Sequence, residues 1–183
     1  MNLKEMLIKE GIVKIKNKDE KPFKLKYGKE SRLFIDIKEA SLNSEILKEM
    51  VRVIDFNWDW YSSVNTDIIG SVAIGGIPIA SVLSVKIGIK QIIVRSEKHD
   101  NGTQSQIIGN CKDKKVLLIE DVATTGGSIV KAVKAIREVG GICNDCVVVD
   151  RQEGAERNCL DNGINLYSLL RKSDFGINEE LIK

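Results

Sequence analysis

The sequence predicts an α/β fold: a mostly parallel central sheet flanked by helices, with a small N-terminal hood of helix and short strands. Three observations carry that expectation. From Asp67 onward, short apolar runs alternate with glycine turns and stretches of helical periodicity, the grammar of repeated strand–helix units. The runs "DIIGSVA", "QIIVRSE", "KKVLLIED", "CVVVDR" and "INLYSLL" are nearly continuous in Val, Ile and Leu, as in strands covered on both faces. Earlier, "FKLKYGKESRLFIDI" alternates apolar and polar residues about Gly28, the mark of a small antiparallel piece.

The elements follow in order. Residues 2–10 read as a short helix with Leu3, Met6 and Leu7 on one side, ended by Gly11. After the hairpin-like segment, residues 41–55 place Leu42, Ile46, Leu47, Met50, Val51 and Ile54 at three- and four-residue steps, an amphipathic helix. The strand "DIIGSVA" leads through the turn "IGGIP" into a helix closed by Gly88, and "QIIVRSE" is the next strand. A polar stretch, "KHDNGTQSQ", separates it from "KKVLLIED". A helix over residues 128–139, ended by Gly140 and Gly141, the strand "CVVVDR", a helical turn in "GAERNCLDNG" and the strand "INLYSLL" complete the chain. With 183 residues, one domain is expected: a hood over residues 1–36, a core over 37–170 and a tail over 171–183.

The charge balance, 28 basic against 26 acidic residues, lacks the excess expected of a nucleic-acid binder, and the Lys-rich stretch 9–29 reads as a solvated face. No apolar run approaches the length of a membrane span and the first residues lack a signal-peptide core, so a cytoplasmic protein is expected. Cys111, Cys143, Cys146 and Cys159 then read as reduced thiols. Cys143 and Cys146 form a C-x-x-C with no second pair at zinc-finger spacing, so they are expected to pack at the edge of a strand.

The chemistry concentrates in "VLLIEDVATTGGS", residues 116–128. Glu120 and Asp121 come where the apolar strand ends, at the carboxyl edge where such sheets hold ligands, and are expected to be presented there rather than buried. Thr124, Thr125, Gly126, Gly127 and Ser128 then supply hydroxyls and unobstructed amides ahead of a helix N-terminus, a cradle for a phosphate. Carboxylates would repel that anion. They make sense as acceptors for vicinal hydroxyls a short distance away, as on a ribose 5-phosphate. A capped helix start explains Thr125 or Ser128 alone but not two acids, two threonines and two glycines in succession. Neither G-x-x-x-x-G-K-[ST] nor a helix-opening G-x-G-x-x-G is present.

This stretch resembles the ribose-phosphate motif of the type I phosphoribosyltransferases, and "AIGGIPIA" is similar to their pyrophosphate loop. The resemblance implies that Glu120 and Asp121 hold the ribose hydroxyls of phosphoribosyl pyrophosphate, with Asp121 also catalytic. Ala123, Thr124, Thr125, Gly126, Gly127 and Ser128 would wrap its 5-phosphate, with Val122 adjoining, and Gly75 and Gly76 would admit the diphosphate. "FKLKYGKES", "RLFID" and "VVVDRQEGA" resemble the orotate-specific branch, which implies that Lys26, Phe34, Thr125 and Arg151 contact orotate. Arg151 offers a rigid fork of donors for a carboxylate, although a surface pair with Glu153 or Asp150 is the plainer reading.

"VRSEKHDNGT" stands where the family's mobile catalytic loop begins, so Arg95, Ser96 and Asn101 would meet the diphosphate and Lys98 and His99 would be catalytic. The family's loop is usually richer in lysine than this one, and Gly75 stands where bacterial relatives commonly carry a lysine. The Asn-Gly pair is equally the signature of a plain hairpin turn. The implied reaction forms orotidine 5-phosphate and pyrophosphate for pyrimidine biosynthesis, with Mg²⁺ held through the substrate and a homodimer as the working unit. A phosphoribosyl-pyrophosphate sensor without catalysis and a purine phosphoribosyltransferase stay open as alternatives. Trp58 and Trp60 are expected in the core by default.

Overall fold

The protein is described by a computed structural model covering residues 1–17, 19–24, 30–56, 66–97 and 106–176. Helix α1 (Leu3–Lys9) opens with a capping box in which Asn2 and Glu5 satisfy each other's backbone amides. Gly11, at φ 70°, turns the chain into β1 (Val13–Ile15). Strands β2 (Phe23–Lys24) and β3 (Glu30–Ser31) pair antiparallel across the predicted turn, while β4 (Leu33–Ile35) reaches back to pair antiparallel with β1. Gly28, Trp58 and Trp60 lie outside the described residues.

The helix predicted over residues 41–55 begins at residue 44, as α3 (Ser44–Phe56), and a separate short helix that the spacing did not predict, α2 (Ile37–Ala40), precedes it. Asn43 restarts the helix: its side-chain oxygen accepts from the amides of Glu45 (3.0 Å) and Ile46 (3.3 Å). Leu42 therefore sits in the intervening turn, 84% exposed, and not on the core face where the periodicity put it. Ile46, Met50, Val51 and Ile54 do face the core, each worth about 1.5–3 kcal/mol of burial.

The central sheet has the order β10–β9–β8–β5–β6–β7. Its members are β5 (Ile68–Val72), β6 (Gln91–Val94), β7 (Ile107–Ile108), β8 (Lys115–Ala123), β9 (Ile142–Asp150) and β10 (Asn165–Arg171). All neighbours run parallel except β7, an antiparallel edge on β6. Successive β8 side chains serve opposite layers. Leu117 and Ile119 pack with α1, α3, the hood and α4 (Gly76–Ile87), whereas Val116 and Leu118 pack with α5 (Gly127–Glu138) and α6 (Ala155–Asp161). Because each strand is apolar on both faces, the sequence shows runs instead of alternation.

The chain leaves β5 through α4 toward β6, and leaves the adjacent β8 through α5 toward β9 on the other side. The connections thus diverge between β5 and β8, opening a crevice at their carboxyl ends. All four cysteines are buried and unpaired in the α5–α6 layer. Cys143 and Cys146 lie within β9 rather than at its edge, and an extra β9 residue between the pairs Lys115–Ile142 and Leu117–Asp145 lets both join that layer. Burial pushes the Cys143 thiol up to about 12 and Cys146 well above its usual range, so neither is a ready thiolate. Arg137, at the end of α5, donates to the carbonyls of Cys143, Asn162 and Gly163 and to Asn144 Oδ1 at 2.9–3.1 Å, fastening α5 to β9 and to the turn before β10.

Candidate active site

A cleft of about 570 Å³ opens over the carboxyl ends of β5, β6 and β8. Its floor holds Glu120 and Asp121, both inside β8, which runs on to Ala123. In a regular strand two successive side chains point to opposite faces. Here β8 carries one residue more than β9 between the pairs Ile119–Val147 and Val122–Val149, and both carboxylates line the same cleft. This bulge also cancels the earlier one in β9 and returns the ladder to its starting register.

The acids are more deeply set than a strand end suggests, at 6% and 5% exposure. The continuation of β8 past them and the close approach of the loop after β5 are the reasons. A Cβ on Gly75 would overlap the Asp121 carboxylate, and one on Gly76 would overlap the carbonyl oxygen of Ile119. Only glycine lets this loop, residues 73–76, lie so close over β8. Burial pushes the Glu120 carboxyl up to about 8, helped by its hydrogen bond with Asp121 and that neighbour's charge, against smaller opposing bonds from Ser128 and the Asp121 amide. Asp121 Oδ2 is buried without a hydrogen-bond partner, an acceptor held ready for a donor from outside the chain.

Beyond the acids, Gly126 adopts a left-handed φ of 76° and turns β8 into α5. The amides of Thr125, Gly126, Gly127 and Ser128 donate to no acceptor among the described residues. They stand at the positive end of α5, an anion seat. Thr124 and Ser128 line the cleft directly. The loop is clamped from behind: Asn158 Nδ2 donates to the Thr125 carbonyl at 2.7 Å, and Gly126 packs so closely on Ala155 and Cys159 that a Cβ would sit 3.2 Å from each.

Of the other predicted residues, Arg95, Ser96, Gly75 and Val122 line the cleft, and Gly76 and Ala123 underlie it. Phe34 stacks obliquely on Phe23 in the hood, centroids 5.7 Å apart, and is not among the lining residues. Arg151 follows β9 and holds Glu153 Oε1 at 3.0 Å, the plainer pairing of the two considered, while its amide donates to the Ala123 carbonyl. Lys26, Lys98, His99 and Asn101 lie outside the described residues. Sequence reasoning missed Lys38, Glu97, Gln106 and Lys131 on the cleft walls and Asn158 behind the loop. No local motif marks them, because the fold brings them in from separate elements.

Comparison with known proteins agrees with this geometry. A family model described as "Phosphoribosyl transferase domain" matches residues 43–162. The orotate phosphoribosyltransferase of Methanopyrus kandleri is 39% identical over 173 residues, covering 94% of this chain and 89% of that protein. The chain belongs to the orotate phosphoribosyltransferase family. Among solved structures, orotate phosphoribosyltransferase from Aeropyrum pernix matches with a TM-score of 0.79 and 27% identity over 94% of both chains. The Mycobacterium tuberculosis orotate phosphoribosyltransferase in complex with 5-phospho-α-D-ribosyl 1-diphosphate matches with a TM-score of 0.74 and 25% identity over 96% of this chain and 97% of that one. As a phosphoribosyltransferase the chain is an enzyme of the glycosyltransferase class, built on the type I fold that its sheet displays.

Proposed function

We propose that this orotate phosphoribosyltransferase family member forms orotidine 5-phosphate and pyrophosphate from orotate and phosphoribosyl pyrophosphate. One observation carries the reading: two buried carboxylates on a bulge share a cleft with a loop of unpaired amides at a helix N-terminus. That pairing suits a sugar with two hydroxyls and a phosphate. Glu120 and Asp121 accept from the ribose hydroxyls, the amides of residues 125–128 take the 5-phosphate, and the loop carrying Gly75 and Gly76 faces the diphosphate. That a solved relative is in complex with the same sugar diphosphate supports this choice of ligand.

In the reaction, N1 of orotate bonds to the anomeric carbon and its proton passes to the departing pyrophosphate. The bond from that carbon to pyrophosphate breaks, and its electron pair leaves with the diphosphate. Positive charge builds on the ribose ring, and the buried Asp121 carboxylate beneath it stabilises that charge. Arg95 and Ser96, with Lys98, His99 and Asn101 of the following segment, steady the leaving group. Lys26, Phe34, Thr125 and Arg151 form the orotate site, and Arg151 shares its five donors between Glu153 and the substrate carboxylate.

Mg²⁺ fits the donor set. Among the described residues no cluster of His, Cys, Asp and Glu would cage a metal, but Glu120 and Asp121 are hard oxygen donors and Asp121 Oδ2 lacks a partner. They would hold the ion through the ribose hydroxyls, as suits a cation that keeps much of its water. Bound there, Mg²⁺ supplies charge neutralisation on the diphosphate. A cytoplasmic homodimer belongs to the same reading. The test is to mix the protein with Mg²⁺ and phosphoribosyl pyrophosphate and follow consumption of orotate, adenine and hypoxanthine. Orotate loss with release of pyrophosphate is the expected result. Purine consumption, or sugar-diphosphate binding with no base consumed, would overturn it.

A further inference from the structure

We propose that Lys38, carried by the short helix α2 of the region joining hood to core, binds the diphosphate of the sugar substrate. The inference rests on the cleft being a phosphoribosyl-pyrophosphate site and names a cation that no motif marks. The loop after β5 reads Ala73, Ile74, Gly75, Gly76, Ile77, Pro78 and has no basic side chain of its own. Nor is there space for one at position 75, because the Asp121 carboxylate occupies the place of its Cβ. A multiply charged leaving group over this loop would therefore meet an apolar tip and a buried acid. Something else must supply positive charge on that side.

Lys38 is positioned to do so. It lines the cleft together with Val72, Ala73, Ile74 and Gly75. Helix α2 is held at both ends, by the Asp36 carboxylate accepting from the Glu39 amide and by Ser41 Oγ donating to the Lys38 carbonyl at 2.7 Å. Ile37 and Ala40 are wholly buried, so the helix cannot roll, and Lys38 is left exposed. Its ammonium makes no ion pair among the described residues, whereas Lys48, Arg52, Lys86, Arg151 and Arg157 each hold a carboxylate. An unpaired amine on a fixed helix beside an anion loop gains a charge-assisted hydrogen bond when the anion arrives. Lys131 is the other lining lysine, but it stands one turn into α5, beside the 5-phosphate seat.

The two ends of the cleft can be read separately by calorimetric binding of Mg²⁺–pyrophosphate and of ribose 5-phosphate to the whole chain. Lys38→Met should weaken pyrophosphate binding about tenfold and raise the KM for phosphoribosyl pyrophosphate similarly. Ribose 5-phosphate binding and the KM for orotate should stay within about twofold, and Lys38→Arg should recover most of the loss. Lys131→Met, removing the same charge elsewhere, should spare pyrophosphate. Unchanged pyrophosphate binding in Lys38→Met would overturn the assignment, as would equal loss of both ligands or equal loss in Lys131→Met. If the wild type binds neither ligand, the sugar-phosphate reading of the cleft fails and takes this inference with it.

Discussion

Binding of the sugar diphosphate should expel a proton from Glu120. In the free protein this carboxyl is pushed up to about 8 by burial and by its acidic neighbour, so at pH 7 it is mostly neutral. To accept hydrogen bonds from ribose and face Mg²⁺ it must be ionised, and at pH 7 that ionisation opposes binding. Affinity for Mg²⁺–phosphoribosyl pyrophosphate should therefore rise about tenfold per pH unit from 6.5 to just below 8 and then level off. Calorimetry at pH 7 in two buffers of different ionisation enthalpy should report close to one proton released per ligand. Glu120→Gln should abolish that release. The same shift has a sign for stability: a folded-state value raised above the ordinary 4.5 favours folding fully below about 4.5, and that contribution is lost as pH rises through about 8. Denaturant midpoints of the ligand-free protein should fall across that window, less so in Glu120→Gln. Ligand binding at pH 7 with no proton released from the wild type would refute the reasoning.

Gly75→Ala should lose about 1–3 kcal/mol of stability, since its Cβ overlaps the whole buried Asp121 carboxylate and disturbs that group's hydrogen bond with Glu120, and at least tenfold in sugar-diphosphate affinity because the acid is displaced. A denaturation curve beside a titration checks both halves. Arg151→Lys keeps a charge for Glu153 but not the planar fork, so the KM for orotate should rise about tenfold with the KM for phosphoribosyl pyrophosphate little changed in steady-state rates. Arg137→Met removes four hydrogen bonds far from the cleft and should cost about 2 kcal/mol. Its melting temperature should drop by about 4–8 °C, with KM values unmoved.

The sheet was legible because parallel strands buried on both faces leave unmistakable runs, and "VLLI" and "CVVVD" needed no tertiary information. Local competition was harder to see. Asn43 reset the helical phase by capping a new helix, and nothing in the spacing of Leu42 and Ile46 betrays that. At the site, the acid pair and glycine loop could be named from their order alone, since a single contiguous stretch builds them. Their depth could not, because it depends on residues 73–76 lying over β8, a contact between segments more than 40 positions apart. Lys38 and Asn158 were invisible for the same reason: each reaches the cleft or its loop from a helix whose own sequence is ordinary.

The supernumerary residue between Ile119 and Val122 also limits how this enzyme can drift over generations. Loops at the sheet rim can gain or lose residues without disturbing the strands beneath them. Removing one position at 120–121 would instead yield a tidier ladder, leave Val122 opposite Val149 and delete one of the two adjacent carboxylates. A shorter descendant of that kind would keep its architecture while forfeiting its chemistry.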